Sequence, residues 1–173
     1  MKKTIFLDRD GVINIDSGYV YKKEDFHFVE NVLDDLKMLY DLGFQIIIVT
    51  NQSGIARGYY NVKDYKKLTK YYLKEMRKAG IGQVKVLFCP HHPEASIARY
   101  KKDCNCRKPK TGLFRYAIKK YKVDVNNSFV IGDKVRDLVI SKEFPQIRPY
   151  LIHSYNDGYE TIERLTEILN KRG

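Results

Sequence analysis

Two rhythms of apolar and polar positions run along this chain. Short, mostly apolar runs recur as KTIFLD, FQIIIVTN, QVKVLFC, SFVIGD and RPYLI. FQIIIVTN has no polar alternation, the pattern of a strand buried on both faces of a parallel sheet. Between the runs, apolar residues fall at helical spacing. In VENVLDDLKMLYDLG they sit at Val29, Val32, Leu33, Leu36, Leu39 and Tyr40, and Gly43 closes the stretch. NVKDYKKLTKYYLKEMRKAG predicts a second helix, opened by Asn61 and closed by Gly80. TGLFRYAIKKYKV predicts a third, Val135 to Glu143 a fourth and ETIERLTEILNK a last one. Strands and helices therefore alternate. That order predicts an α/β fold, a Rossmann-like parallel sheet with helices on both faces and right-handed crossovers.

Ligands of such sheets bind beyond the carboxyl ends of the strands. Three of the predicted strands lead into chemically useful side chains there: Asp8 and Asp10, then Thr50, then Asp133. Asp8 and Asp10 are two residues apart, so an extended backbone can send both to one side, and Gly11 allows a sharp turn after them. Carboxylates that close repel each other. A hard divalent cation such as Mg2+ relieves this with oxygen ligands, waters and a substrate phosphate, and Asp133 offers it a further carboxylate. Thr50-Asn51-Gln52-Ser53-Gly54 supplies hydroxyl, amide and backbone donors that can cradle phosphate oxygens. Lys108 would offset phosphate charge.

Composition narrows the picture. The chain has 173 residues, 43% of them apolar, which suits one ordinary core, so a single domain over residues 1–173 is expected. There is no repeat and no low-complexity linker. The apolar run at the start is interrupted by Asp8, short of a secretory core of roughly 7–15 residues. No run approaches the ~20 apolar residues of a membrane helix. A cytoplasmic protein without membrane contact is the expectation. The net charge of +11 has three readings: a solvated lysine face, an anionic small substrate, or nucleic acid. Lysines recurring along the second helix (Lys66, Lys67, Lys70, Lys74, Lys78) favour the first.

All three cysteines fall in CPHHPEASIARYKKDCNCRKPKTG, as Cys89-Pro90-His91 and, after twelve residues, Cys104-Asn105-Cys106. In a cytoplasmic protein clustered cysteines point to metal or redox chemistry. Three thiolates and the His91 imidazole suit a closed, tetrahedral, structural Zn2+ site. A redox dithiol, scattered buried cysteines and a nucleic-acid knuckle flanked by Tyr100, Lys101, Lys102, Arg107 and Lys108 are the other readings.

The ordered set DRDGVIN, TNQSG, RKPKTG and GDK-x-x-D resembles the haloacid dehalogenase superfamily of phosphotransferases over nearly the whole chain. The resemblance implies that Asp8 is the nucleophile and Asp10 the general acid and base. Thr50 and Lys108 would hold the transferring phosphoryl group. Mg2+ would sit on Asp8, the backbone carbonyl of Asp10, and Asp133. Asp16-Ser17-Gly18-Tyr19-Val20, TNQSGIARG and the Cys-x-His…Cys-x-Cys-Arg-Lys-Pro loop narrow it. They resemble the D-glycero-D-manno-heptose 1,7-bisphosphate phosphatases and their histidinol-phosphatase relatives, enzymes acting on small phosphorylated substrates. That likeness implies substrate contacts at Asp16, Ser17, Gly18, Tyr19, Asn51, Gln52, Ser53, Arg107 and Lys134. It implies Zn2+ on Cys89, His91, Cys104 and Cys106, with His91 rather than His92 as the imidazole. It also implies removal of the 7-phosphate on a route to activated heptose for surface polysaccharide, with histidinol phosphate or another small sugar phosphate as the other substrate. A monomer that binds no nucleic acid is expected. The spacings between Asp10 and Thr50 and between Thr50 and Lys108 leave no room for a large cap domain. One segment departs from the pattern. After Asp133-Lys134 the small residues of the relatives' helix are missing, and Pro145 ends it early, although Asp137 is in place.

Overall fold

A computed structural model describes residues 1–156 and 158–171. Its centre is a six-stranded, all-parallel sheet in the order β3-β2-β1-β4-β5-β6. The strands are β1 (Thr4–Leu7), β2 (Gln45–Asn51), β3 (Val84–Cys89), β4 (Phe129–Gly132), β5 (Arg148–Ile152) and β6 (Thr161–Ile162). β1 lies between β2 and β4, where the strand order reverses, with Ile5 opposite both Ile46 and Phe129. That reversal opens a crevice at the carboxyl ends of β1 and β4.

Alternate residues of the central strands build two separate cores. On one face Ile5, Leu7, Ile46, Ile48 and Ile131 pack against α1 (Val32–Asp41) and α2 (Val62–Lys78) through Leu36, Leu39, Leu68, Tyr72 and Met76. On the other, Phe6, Ile47, Val49 and Val130 meet Phe114 and Ala117 of α3 (Gly112–Lys120) and Ile140 of α4 (Ile140–Glu143). Each such buried side chain contributes about 1.5–3 kcal/mol, more than an exposed ion pair at ~0–1 kcal/mol, so these two layers hold the strand ends in place. α2 begins with a reciprocal cap: Asp64 N–H donates to Asn61 Oδ1 (2.9 Å) and Asn61 N–H to Asp64 Oδ2 (3.1 Å). Its buried stripe is Tyr65, Leu68, Tyr72 and Met76, and Lys66, Lys67, Lys70, Lys74 and Lys78 are exposed. Much of the positive charge is thus a solvated helix face.

Three predicted helices differ from the structure. α1 starts at Val32 rather than Val29, because Asn31 takes a left-handed conformation (φ 63°) and Val29 N–H bonds instead to Ile13 O (3.0 Å). The helix expected over Val135–Glu143 is a 3-10 turn, Val135–Asp137, followed by the single turn of α4. Asp137 turns back there to accept the Lys134 N–H (3.1 Å), and Pro145 follows immediately beyond. The last predicted helix, ETIERLTEILNK, is strand β6 and a 3-10 helix, Leu165–Leu169. β-Branched Thr161 and Ile162 pair with Leu151 and Ile152 at the sheet edge. Buried Asp35 of α1 then takes the Leu165 N–H (3.1 Å) and the Arg164 guanidinium, which fixes the chain in a bent path. Leu165 and Ile168 still face the core, since spacing of three suits both kinds of helix.

Between Asp10 and Thr50 lie a 3-10 turn, α1 and most of β2; between Thr50 and Lys108 lie α2, β3 and the cysteine loop. Neither segment holds an inserted domain among the described residues. No helix among them is long and apolar enough to cross a membrane.

Candidate active site

The loops after β1, β2, β3 and β4 converge on a cleft of ≈ 330 Å³, a volume that suits a small polar molecule. Asp8, the first residue after β1, is buried, and Lys108 reaches it from the far end of the cysteine loop. Lys108 Nζ donates to Asp8 Oδ1 (2.9 Å) and to the Val49 carbonyl (2.7 Å), and pairs with Asp137 Oδ1 (2.7 Å). Burial pulls the ammonium's pKa down, but Asp8 and Asp137 outweigh it and hold the group above its ordinary value. The same burial pushes the Asp8 carboxyl up to about 7; Lys108 opposes that rise, and Asp137 and Asp10 add to it. One ammonium does not balance these carboxylates, so full ionisation of Asp8 at neutral pH calls for more positive charge. A divalent cation fits that need. Asp8, Asp133 and Asp137 each bring a carboxylate oxygen within 4.8 Å of the others, and Asp133 Oδ1 is buried with no hydrogen-bond partner.

Two glycines make this crowding possible. A Cβ on Gly11, at φ +85°, would lie 2.3 Å from Asp133 Oδ2. A Cβ on Gly132 would lie 2.2 Å from the Cβ of Asp137. Both positions need a bare backbone so that the β1 and β4 loops can bring their carboxylates together.

Asp10 is held from several sides. Its Oδ1 accepts from Arg9 Nη2 (2.7 Å), Arg9 Nε (3.3 Å) and Asn14 Nδ2 (3.1 Å), and its Oδ2 accepts from Gln52 Nε2 (3.2 Å). Arg9 is wholly buried and also donates to the Val20 carbonyl (2.7 Å), which ties Asp10 to the loop carrying Asp16–Tyr19. Gln52 is itself fixed, donating to Thr50 Oγ1 (2.9 Å) and accepting from Tyr60 Oη (2.5 Å). Asn51 clamps the lysine backbone: it donates to Lys108 O (3.0 Å) and accepts from Lys108 N–H (3.0 Å).

Of the residues singled out in the sequence, Asp8, Asp10, Asp16, Gly18, Tyr19, Asn51, Gln52, Ser53, Arg107, Lys108 and Lys134 line the cleft. Ser17, Thr50 and Asp133 are not among the lining residues, although Thr50 Oγ1 takes the hydrogen bond of the lining residue Gln52 (2.9 Å) and Asp133 brings a carboxylate oxygen to within 4.8 Å of one on Asp8. Lys134 Nζ is 3.6 Å from Asp16 Oδ2 and 3.7 Å from Asp133 Oδ2. Arg9, Arg57, Tyr60 and Arg136 escaped the sequence reading; an isolated arginine or tyrosine in a loop carries no periodic signal. Asp137 had a signal, the fixed spacing from Asp133, but nothing there announced its bond to Lys108. Asp137→Asn keeps the shape and an oxygen for the Lys134 N–H while removing the charge. It is expected to lower kcat about 10–100-fold with a smaller effect on KM, as read by steady-state kinetics.

The second cluster is the cysteine loop. Cys106 Sγ lies 3.1 Å from the Sγ of both Cys89 and Cys104, Cys89 Sγ is 3.5 Å from Cys104 Sγ, and His91 Nδ1 is 3.3 Å from Cys106 Sγ. These separations exceed the ~2.05 Å of a disulfide. They approach the ~3.8 Å edge of a tetrahedron built on ~2.3 Å metal–sulfur bonds. Burial pushes the Cys89 thiol up, so a thiolate there needs a cation beside it. The donors present therefore fit a tetrahedral metal. His92 is turned away from this cluster, with Nε2 3.4 Å from Arg57 Nη2.

A parallel sheet that delivers a carboxylate cluster and a buried lysine to its switch point fits the phosphohydrolase class of haloacid dehalogenase type that the ordered motifs resemble. Residues 3–146 match the polynucleotide kinase 3 phosphatase family. A D-glycero-alpha-D-manno-heptose-1,7-bisphosphate 7-phosphatase of Photorhabdus laumondii is 45% identical over 161 residues, covering 93% of this chain and 86% of that protein. A D-glycero-beta-D-manno-heptose-1,7-bisphosphate 7-phosphatase of Haemophilus influenzae is 45% identical over 138 residues, 80% of this chain and 74% of that one. The crystal structure of a D,D-heptose 1,7-bisphosphate phosphatase from B. bronchiseptica, complexed with magnesium and phosphate, superposes with a TM-score of 0.83 at 26% identity, covering 99% of each chain. The chain belongs to the polynucleotide kinase 3 phosphatase family, as a haloacid dehalogenase-type phosphomonoesterase alongside the heptose-bisphosphate phosphatases.

Proposed function

We propose that this chain is a Mg2+-dependent phosphatase that removes the 7-phosphate of D-glycero-D-manno-heptose 1,7-bisphosphate through an aspartyl-phosphate on Asp8. The observation that carries the reading is the buried Lys108–Asp8 pair (2.9 Å) beside a carboxylate with an unpartnered oxygen, in a chain 45% identical to enzymes of that name. An oxygen of Asp8 attacks phosphorus, the ester P–O bond breaks, and Asp10 gives its proton to the departing alcohol. Asp10 then takes a proton from water, the resulting hydroxide attacks phosphorus, and the bond to Asp8 breaks to release inorganic phosphate. Arg9, Asn14 and Gln52 keep Asp10 in place for both transfers. Thr50 and Lys108 hold the phosphoryl oxygens, and Asp16–Tyr19, Ser53, Arg107 and Lys134 hold the rest of the substrate. Asn51 and Gln52 serve through the groups they fix, Lys108 and Asp10. Asp8, Asp133 and the backbone carbonyl of Asp10 would hold Mg2+, which supplies charge neutralisation at the phosphoryl oxygens when bound. Cys89, His91, Cys104 and Cys106 would hold a structural Zn2+. Residues 1–173 act in this reading as one cytoplasmic, monomeric catalytic domain.

The test is phosphate release from a panel holding both anomers of the heptose bisphosphate, the heptose 7-phosphate and histidinol phosphate, with and without Mg2+. Mg2+-dependent release, with kcat/KM for a heptose bisphosphate at least about tenfold above that for histidinol phosphate, is expected; that ratio corresponds to ~1.4 kcal/mol of transition-state binding. The reverse preference would hand the site to histidinol phosphate. No release from any sugar phosphate, together with strongly salt-dependent nucleic-acid binding, would favour a basic zinc module.

A further inference from the structure

The proton that Asp10 gives and takes sits on one of its two oxygens, and their surroundings differ. Oδ1 accepts from Arg9 Nη2, Arg9 Nε and Asn14 Nδ2. Among the described residues Oδ2 accepts from Gln52 Nε2 alone (3.2 Å). A carboxylate oxygen offers about two lone pairs, so Oδ2 is the oxygen with a position left for the proton. Gln52 spends its other amide hydrogen on Thr50 Oγ1 (2.9 Å). Having accepted there, the Thr50 hydroxyl turns its own hydrogen away from Gln52. It reaches the Asn51 carbonyl at 3.4 Å, a long bond that a phosphoryl oxygen can outcompete.

Both arrangements depend on which end of the Gln52 amide faces Asp10 and Thr50. A reversed amide would set Oε1 against the Asp10 carboxylate and draw the Thr50 hydrogen inward. Tyr60 makes the choice, because its hydroxyl donates to Gln52 Oε1 (2.5 Å). The ring is itself held: it is buried, stacks on Tyr21 (ring centres 5.0 Å apart, planes at 13°) and packs with Ile55 and Tyr65. Gly54 admits it, since a Cβ there would lie 2.1 Å from Tyr60 Cε1. Burial holds the phenol above its ordinary pKa, so it stays a donor through the neutral range. We propose that Tyr60 is a positioning residue for phosphoryl transfer: its hydroxyl orients the Gln52 amide, which in turn aims Asp10 Oδ2 and the Thr50 hydroxyl at the substrate. The inference rests on the roles proposed for Asp8, Asp10 and Thr50 and deepens them. One phenolic hydrogen sets the direction of a chain of hydrogen bonds that ends at both the proton carrier and the phosphoryl oxygens.

The experiment uses the full chain with Mg2+, as wild type, Tyr60→Phe, Gln52→Ala and the double variant, on whichever phosphate ester of the panel turns over best. Phenylalanine keeps the ring and its stacking, so the thermal midpoint is expected to stay close to that of wild type. Tyr60→Phe is expected to lower kcat about tenfold or more while KM changes less than about threefold. In the Gln52→Ala background the same replacement is expected to change kcat less than about twofold, because no amide is left to orient. The Gln52 side-chain amide signal in nitrogen–proton NMR spectra, identified by its loss in Gln52→Ala, is expected to shift in Tyr60→Phe. An unchanged kcat, a loss that persists undiminished without Gln52, or a raised KM at unchanged kcat, the mark of direct substrate contact, overturns the inference while the Asp8 reaction stands. Histidinol phosphate as the better substrate overturns the bisphosphate reading alone, since Asp10, Gln52 and Tyr60 serve any phosphate ester. Release that survives Asp8→Asn, or no release from any ester, overturns the reaction and the role of Tyr60 with it.

Discussion

Asp8→Asn is expected to lose turnover by on the order of 10⁴–10⁶-fold while the protein stays folded. The carboxylate is buried beside Asp137 and near Asp10, and its raised pKa says that its charge costs stability in this setting. Asparagine has the same shape and no charge to bury. Lys108 keeps Asp137 and the Val49 carbonyl as partners. The thermal midpoint should therefore stay level or rise as activity disappears. The direction follows from linkage: a carboxyl held above its unfolded-state pKa opposes folding at any pH where it is ionised, and the amide removes that cost. Activity within tenfold of wild type would rule out Asp8 as nucleophile. A fall in the midpoint would mean that the Asp8–Lys108 pair holds the fold together rather than the chemistry.

Cys104→Ser/Cys106→Ser is expected to lower stability and activity together, by a different route. About one zinc per freshly purified chain should be found in wild type and in Asp8→Asn, and none in the double cysteine variant. Zinc-finger peptides gain ~10 kcal/mol or more from the metal. If about a third of that operates here, the midpoint falls by roughly 10 °C for a chain of this size. Activity should follow because of what the loop carries. Arg107 and Lys108 follow Cys106 directly, and Asn105 O accepts the Gly112 N–H (2.9 Å) at the start of α3. A Cβ on Gly112 would lie 2.3 Å from that oxygen, so the loop sits tightly on the helix. The metal cluster thus anchors a short segment between β3 and α3 whose end delivers the lysine to Asp8. Metal analysis that detects no zinc in wild type removes this role. Zinc loss with Lys108-dependent activity intact would mean that the Asn51 clamp alone suffices.

The sequence was most legible where burial alone sets the pattern. β1, β2 and β4 are continuous apolar runs, and each leads into residues of the cleft. α2 shows its buried stripe and both capping residues in one stretch. Legibility failed where a distant partner overrode local preference. The stretch ETIERLTEILNK has helical spacing, yet β5 claims Thr161 and Ile162 and Asp35 claims Arg164 and Leu165. Val135–Glu143 breaks because Asp137 is drawn to Lys108 and back to the Lys134 N–H. Neither partner lies within the window that periodicity reads.

The site divides in the same way. By itself the sequence determined the alternation of the first five strands with α1, α2 and α3, the carboxylates that follow the strand ends, and the clustering of Cys89, Cys104 and Cys106 with a histidine in one loop, because residue type and local spacing suffice for these. Only the tertiary structure decided which charges meet. It brought Lys108 to Asp8 across a hundred residues of chain, spent Asn51 and Gln52 on holding other groups, buried Arg9 against Asp10, and gathered Arg57, Arg107 and Arg136 from separate loops at one cleft. The physical reason is that electrostatic pairing depends on distance and burial in three dimensions. An isolated charge in a linear sequence records neither.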